Sequence, residues 1–158
     1  MPPESAAAIE VHSEGFACAA PQRAWQVLTD YERLAEFVPN LTSSTVLSRQ
    51  GRDAVVEQYG SGGFLFVRRE IHMVLRVTEQ PFSAIEVTRI SGNMRRYEAR
   101  WSLAPARENH CDGTRIAYAC SMEPDFFVPP IVGPAMAQAD IDKMLQAVLA
   151  EIERWAHR

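Results

Sequence analysis

From about residue 41 to residue 123 the chain is a succession of β-branched, alternating segments punctuated by turn residues, and a single long amphipathic stretch follows. That order restricts the fold more than any other feature. Strands are expected near 41 to 49, 54 to 61, 66 to 79, 83 to 90, 94 to 104 and 114 to 123. The breaks between them carry hairpin chemistry: Gln50-Gly51-Arg52-Asp53, Gly62-Gly63, Gln80-Pro81, Gly92-Asn93 and the polar run from Arg107 to Gly113. Short links of this kind join antiparallel neighbours, so the segments read as one meander.

Successive side chains of a strand point to opposite faces. Tyr97, Ala99, Trp101 and Leu103 therefore face one way and Arg96, Glu98, Arg100 and Ser102 the other. Ile71, Met73, Leu75 and Val77 oppose Glu70, His72, Val74 and Arg76, while Ile116, Tyr118, Cys120 and Met122 oppose Arg115, Ala117, Ala119 and Ser121. A sheet with one apolar face needs a cover. Only residues 134 to 156 are long enough to supply it, with Ile141, Met144, Leu145, Val148, Ile152 and Trp155 at helical steps. Some 20 helical residues span roughly 30 Å, enough to cross a twisted sheet. Asp140, Asp142, Lys143, Gln146, Glu153 and Arg154 are expected on its wet side.

Ahead of the meander, Ile9, Val11 and Phe16 suggest a first strand over 9 to 17, with an irregularity near Gly15. Pro21 suits a first helical position, giving a short helix over 21 to 29, and Asp30 can cap a second one carrying Leu34, Phe37 and Val38. Pro39 discourages helix just before it. At 158 residues, one domain is expected, over 9 to 157, with residues 1 to 8 loosely ordered. The fold class is α+β: a curved seven-stranded antiparallel sheet, two short helices after the first strand, and a long C-terminal helix across the sheet.

The net charge of -4 opposes general attraction to nucleic-acid phosphates, which depends on Lys and Arg. Arg68, Arg69, Arg95, Arg96 and Arg100 could still form a local basic patch, with solvated strand faces as the plainer reading. Cys18, Cys111 and Cys120 form neither a CxxC pair nor an even framework, so no disulfide scaffold is expected and the cytoplasm is the default compartment. No segment reaches the ~18 consecutive apolar residues of a membrane span, so stable membrane insertion is not expected. His110-Cys111-Asp112 lacks the spacing of zinc motifs, and no nucleophile elbow or phosphate loop is present. No metal, cofactor or catalytic triad is expected.

The strand order, the two short helices and the long terminal helix together resemble the START-like (helix-grip, SRPBCC) superfamily over nearly the whole chain. Asp30-Tyr31-Glu32 through Phe37-Val38-Pro39-Asn40, then Ser43-Ser44 and Val46-Leu47, resemble its polyketide cyclase/dehydrase and coenzyme-Q-binding group. Trp101-Ser102-Leu103-Ala104-Pro105 is similar to that group's Trp-x-Phe-x-Pro strand ending, with Leu103 where Phe is usual. The group includes quinone-binding proteins, aromatic polyketide cyclases and a bacterial toxin that interferes with ribosome assembly.

The resemblance implies an apolar cavity between sheet and helix, holding a quinone, lipid or polyketide-like molecule. Candidate lining residues are Phe37, Met73, Leu75, Val87, Arg89, Tyr97, Trp101, Tyr118, Met144 and Val148. Aromatic rings can stack on a flat ligand, and methionines make an adaptable wall. Met136 is a further candidate for that wall. Each can equally be core filling. Arg89 shares the parity of Ile85 and Val87, where it either orients a carbonyl or carboxylate or pairs with Glu57; Glu57 and Tyr59 have a similar claim to the interior. In an enzyme, a cyclase or dehydratase, Arg89, Tyr97 or Tyr118 would orient or protonate an enolate oxygen. A third reading places a ribosomal or RNA partner on the basic strand face. Phe64-Leu65-Phe66 and the run from Phe126 to Val132 are apolar loops, either gates or ordinary lids. The protein is expected as a monomer or dimer.

Overall fold

The structure, a computed structural model, describes residues 8–64 and 67–156, with side chains for all of these except 63, 64, 67–69, 155 and 156. Its elements run β1 (Ile9–Ala17), α1 (Pro21–Thr29), a 3-10 helix (Tyr31–Glu36), β2 (Leu41–Gln50), β3 (Asp53–Phe64), β4 (Val67–Gln80), β5 (Ala84–Gly92), β6 (Met94–Glu108), β7 (Cys111–Pro124) and α2 (Val132–Ala156). The seven strands pair antiparallel in the order β1-β7-β6-β5-β4-β3-β2. The expected α+β fold is the observed one, with the strands paired as a meander, but the expected break at Gly62-Gly63 lies inside β3, where the two glycines pair with Arg69 and Arg68. Most strands run a few residues past their expected ends, and the β6–β7 turn shrinks to Asn109 and His110, both at positive φ. Phe64-Leu65-Phe66 falls outside the residues whose side chains are described.

The alternation read from the strands sets the core. Ile85, Val56, Ile116 and Leu103 meet Leu145, Val148 and Ile152 of α2, all buried, along with Ala24, Trp25 and Leu28 of α1. Each fully buried aliphatic side chain stabilises by about 1.5–3 kcal/mol. A second cluster gathers Met73, Leu75, Met94, Tyr118, Cys120 and Met122 toward the other end of the sheet.

The expected irregularity at Gly15 is not there. β1 pairs with β7 in unbroken register from Ile9↔Met122 to Ala17↔Thr114. Gly15 serves close approach instead, since a Cβ at that position would lie 2.5 Å from Leu149 Cδ1 of α2. The register shifts fall elsewhere, between Leu41/Ser43, Val46/Ser48, Val74/Leu75 and Met94/Arg96. Gly92, at φ +127 with a would-be Cβ 2.1 Å from His72 O, closes the β5–β6 turn in a way no other residue tolerates.

Both edge strands are tied by side chains. Gln138 of α2 donates to His12 O at 2.7 Å and accepts from His12 N–H at 3.3 Å. At the far edge, Glu32 accepts from Val46 N–H at 2.9 Å. Glu153, expected in solvent, accepts from Cys18 N–H at 2.8 Å and so fixes the β1–α1 junction to the end of α2. Asp30 makes no side-chain cap, and the segment it introduces is a single 3-10 stretch.

One cysteine expectation is overturned. Cys18 and Cys111 are disulfide-bonded with Cα atoms 5.9 Å apart, while Cys120 is free and buried. Their sequence separation of 93 leaves no spacing signal. The Ala17↔Thr114 pairing is what brings the end of β1 beside the β6–β7 turn. Cysteine usage consequently no longer argues for a reducing compartment. No helix among the described residues is long and apolar enough to cross a membrane.

Candidate functional site

Between the concave face of the sheet and α2 lies a trough in two lobes. The first, of about 190 Å³, is lined by Leu75, Val87, Trp101 and Tyr118 of the sheet, Leu28, Tyr31 and Leu34 of the short helices, and Val148 of α2. The second, of about 200 Å³, runs past Met73, Met94 and Met122 to Gly60, Asp140 and Pro39. Val38, Leu41, Gln58, Tyr97, Ile141 and Met144 line both, so the lobes meet at a waist formed by those six. Each lobe is far larger than the ~30 Å³ a water molecule takes in the liquid. The pair falls near the low end of small-molecule pockets, ~300–1,000 Å³. A wider groove of about 700 Å³ lies elsewhere, but it is open and edged by Glu10, Glu86, Glu98 and Arg100. An apolar lining, with no charged side chain in the first lobe and Asp140 alone in the second among the described residues, rather than size, singles out the trough.

A pair of phenols is the polar feature at the centre of the trough. Tyr97 and Tyr118 point inward from neighbouring strands, and their hydroxyls hydrogen-bond to one another across the Ala99↔Cys120 pair. The Trp101 ring packs on Tyr118 with centroids 4.7 Å apart and a 57° tilt. Burial pushes both phenols well above the usual tyrosine range, with the Cys120 thiol adding to the shift of Tyr97 and the Tyr97 phenol to that of Tyr118. Burial also pushes the Cys120 thiol up to about 11, against the opposing hydrogen bonds of Tyr118 and Tyr97. All three are uncharged at neutral pH. Gln58, bonded through Nε2 to Ser44 Oγ at 3.2 Å, adds an amide at the waist.

These raised values fix the sign of an alkaline effect. Each group deprotonates more readily unfolded than folded, so its contribution to stability is intact below the unfolded value and is lost as pH rises through the folded one. The melting temperature is expected to hold through neutral pH and to fall as pH climbs from about 9 to beyond about 11, with a shallower fall in Tyr97→Phe/Tyr118→Phe. Calorimetric scans across that range check it; equal slopes in both proteins would remove the phenols from the account.

Tyr31, which lines the first lobe, donates to Glu79 at 2.5 Å, and the half-exposed Arg49 donates to the same carboxylate at 2.8 Å. Burial, then the Glu79 carboxylate, raise the Tyr31 phenol above its ordinary value. Glu79 is itself buried, so this triad is a satisfied clamp between the 3-10 helix and the sheet.

Of the ten residues proposed from sequence, eight line the trough: Met73, Leu75, Val87, Tyr97, Trp101, Tyr118, Met144 and Val148. Phe37 does not, because it packs beside the core and borders a surface groove with Arg33 and Glu36. Arg89 is also absent from both linings; its guanidinium curls back onto Ile90 O at 3.4 Å and Gly92 O at 3.2 Å, leaving Nε buried and unbonded. It does not meet Glu57, which instead bonds His72 Nε2 at 2.8 Å, with Tyr59 stacked on the imidazole at 4.3 Å. Glu57 and Tyr59 thus belong to the outer face, and Tyr59 is exposed. Arg95, Arg96 and Arg100 lie against Asp125, Glu123 and Glu86 respectively. Of the apolar loop before α2, Phe126 and Val128 pack on the core while Phe127 and Ile131 are more than 80% exposed. Among the described residues no cluster of potential metal ligands occurs.

Sequence reasoning missed Gln58, Tyr31 and the part played by Cys120. Gln58 had a signal, since it shares the inward parity of Ala54 and Val56. Tyr31 had none, because nothing local says which side of a 3-10 turn meets the cavity.

An antiparallel sheet wrapped on one long helix, with an apolar trough between them, defines a helix-grip domain of the START-like class. Residues 18–149 match the model of the family described as polyketide cyclase / dehydrase and lipid transport, and the chain belongs to that family. Among solved structures it is similar to a START superfamily protein from Mycobacterium smegmatis, at 16% identity and a TM-score of 0.78 over 92% of this chain and 98% of that one. The Zhui aromatase/cyclase from Streptomyces sp. R1128 gives 16% identity and 0.75, over 93% and 94% of the two chains. A STAR-related lipid transfer protein from Xanthomonas axonopodis gives 17% and 0.73, over 90% and 85%. At these identities the likeness is one of fold. No curated protein sequence matches the chain.

Proposed function

We propose that this protein binds and carries a hydrophobic small molecule, of quinone, lipid or polyketide-like character, in the trough between sheet and α2. The observation that carries the reading is the first lobe's lining: among the described residues it has no carboxylate, imidazole or cation, and its polar groups are phenols, an indole and one amide. Burial of apolar surface supplies affinity at roughly 25 cal/mol per Å², less the costs of association and ordering. The phenols and Gln58 set orientation.

A cyclase or dehydratase reading draws on the family description and on the aromatase/cyclase among the structural neighbours. Phenols held neutral can protonate an enolate oxygen, yet no described side chain of the first lobe is a base at neutral pH. Carriage needs no base, and for that reason it is preferred. Native mass spectrometry of gently purified protein, followed by solvent extraction, tests it. A co-purifying apolar molecule, or saturable one-to-one uptake of an added apolar probe by empty protein, is the expected result. Empty protein that takes up no apolar probe would overturn the reading.

A further inference from the structure

The hydrogen-bond arithmetic of the phenol pair limits what the trough accepts. Two hydroxyls carry two protons. The Tyr97–Tyr118 bond uses one of them. Among the described residues the second has only the Cys120 thiol to meet, and sulfur is a weak acceptor. One O–H donor is therefore left without a strong protein acceptor on a largely apolar wall, where a better acceptor gains most. Tyr97 lines both lobes and its hydroxyl is bonded to that of Tyr118, so whichever phenol keeps the free proton holds it at or beside the waist, with apolar wall to either side. No described cation lines either lobe, and the one described carboxylate, Asp140, stands in the second lobe and repels anions.

Resting on the binding reading above, we infer that the ligand is an uncharged molecule with a carbonyl-type acceptor oxygen near the middle of its length, rather than a lipid with a terminal carboxylate or phosphate. The donor is redundant. Removing either hydroxyl leaves the other with no phenol partner and its proton available, so only loss of both removes recognition.

The test uses three tricyclic probes of similar outline: anthracene, 9,10-anthraquinone with its carbonyls on the central ring, and anthracene-2-carboxylate with a charge at one end. Affinities are measured on the whole protein, on Tyr97→Phe, on Tyr118→Phe and on the double variant. A net neutral hydrogen bond corresponds to about threefold to tenfold in affinity, so the quinone is expected to bind that much more tightly than the hydrocarbon, and the carboxylate more weakly than both. The quinone-to-hydrocarbon ratio should persist within about twofold in each single variant and collapse to about one in the double variant. Equal binding of quinone and hydrocarbon by the parent, preference for the carboxylate, or loss of the ratio in either single variant overturns the inference while leaving carriage intact. If none of the three binds, the carriage reading falls and this one with it.

Discussion

Ala99→Phe is expected to abolish uptake of apolar ligands by the first lobe in a protein that still folds. Ala99 sits on β6 between Tyr97 and Trp101, pairs with Val87 of β5 and Cys120 of β7, and faces the void. A benzyl group there enters empty space rather than packed atoms, so the usual ~1–3 kcal/mol penalty for enlarging a core residue is offset by new contacts. The melting temperature should stay within a few degrees of the parent while affinity for an apolar probe falls at least about tenfold. Affinity retained within about threefold would place the ligand outside the trough.

The second large effect concerns the disulfide. Closing a loop of about 100 residues removes roughly 4–5 kcal/mol of unfolded-state freedom in the chain-entropy model, and measured effects run about 2–4 kcal/mol. Reduction, or Cys18→Ser, is thus expected to lower stability by about 2–4 kcal/mol, or about 5–15 °C in melting temperature for a chain of this size. Cys120→Ser serves as the control for the free thiol. Denaturant titrations with and without reductant read the difference. Identical curves would mean that the two cysteines are unbonded in solution, and the compartment argument from cysteine usage would return.

The sheet was legible because a meander of hairpins is a local code: Gly92-Asn93 and the alternation of Tyr97, Ala99, Trp101 and Leu103 each act within a few residues. The helix covering it was legible for the same reason. Of the eight proposed residues that line the trough, six followed from strand parity and two, Met144 and Val148, from helical spacing. What failed depended on contacts between distant parts of the chain. The Cys18–Cys111 bond needs the β1–β7 pairing before it has any geometry. Arg89 obeyed the parity of its strand, but the register shift between Val74 and Leu75 opposite it and the nearby Gly92 turn gave its guanidinium backbone carbonyls to bond. Gly15 carried the right residue type and the wrong reason, because its partner Leu149 is more than a hundred positions away.

A sheet that keeps a void beneath it gives up packing that would otherwise hold it flat and closed, and its outermost strands are where neighbouring molecules could stitch themselves on. Here the Gln138 carboxamide imitates a further strand residue against His12, and Glu32 occupies the Val46 N–H on the opposite border. Each border is thus blunted at one point, at His12 and at Val46, by a side chain that leaves the void below untouched.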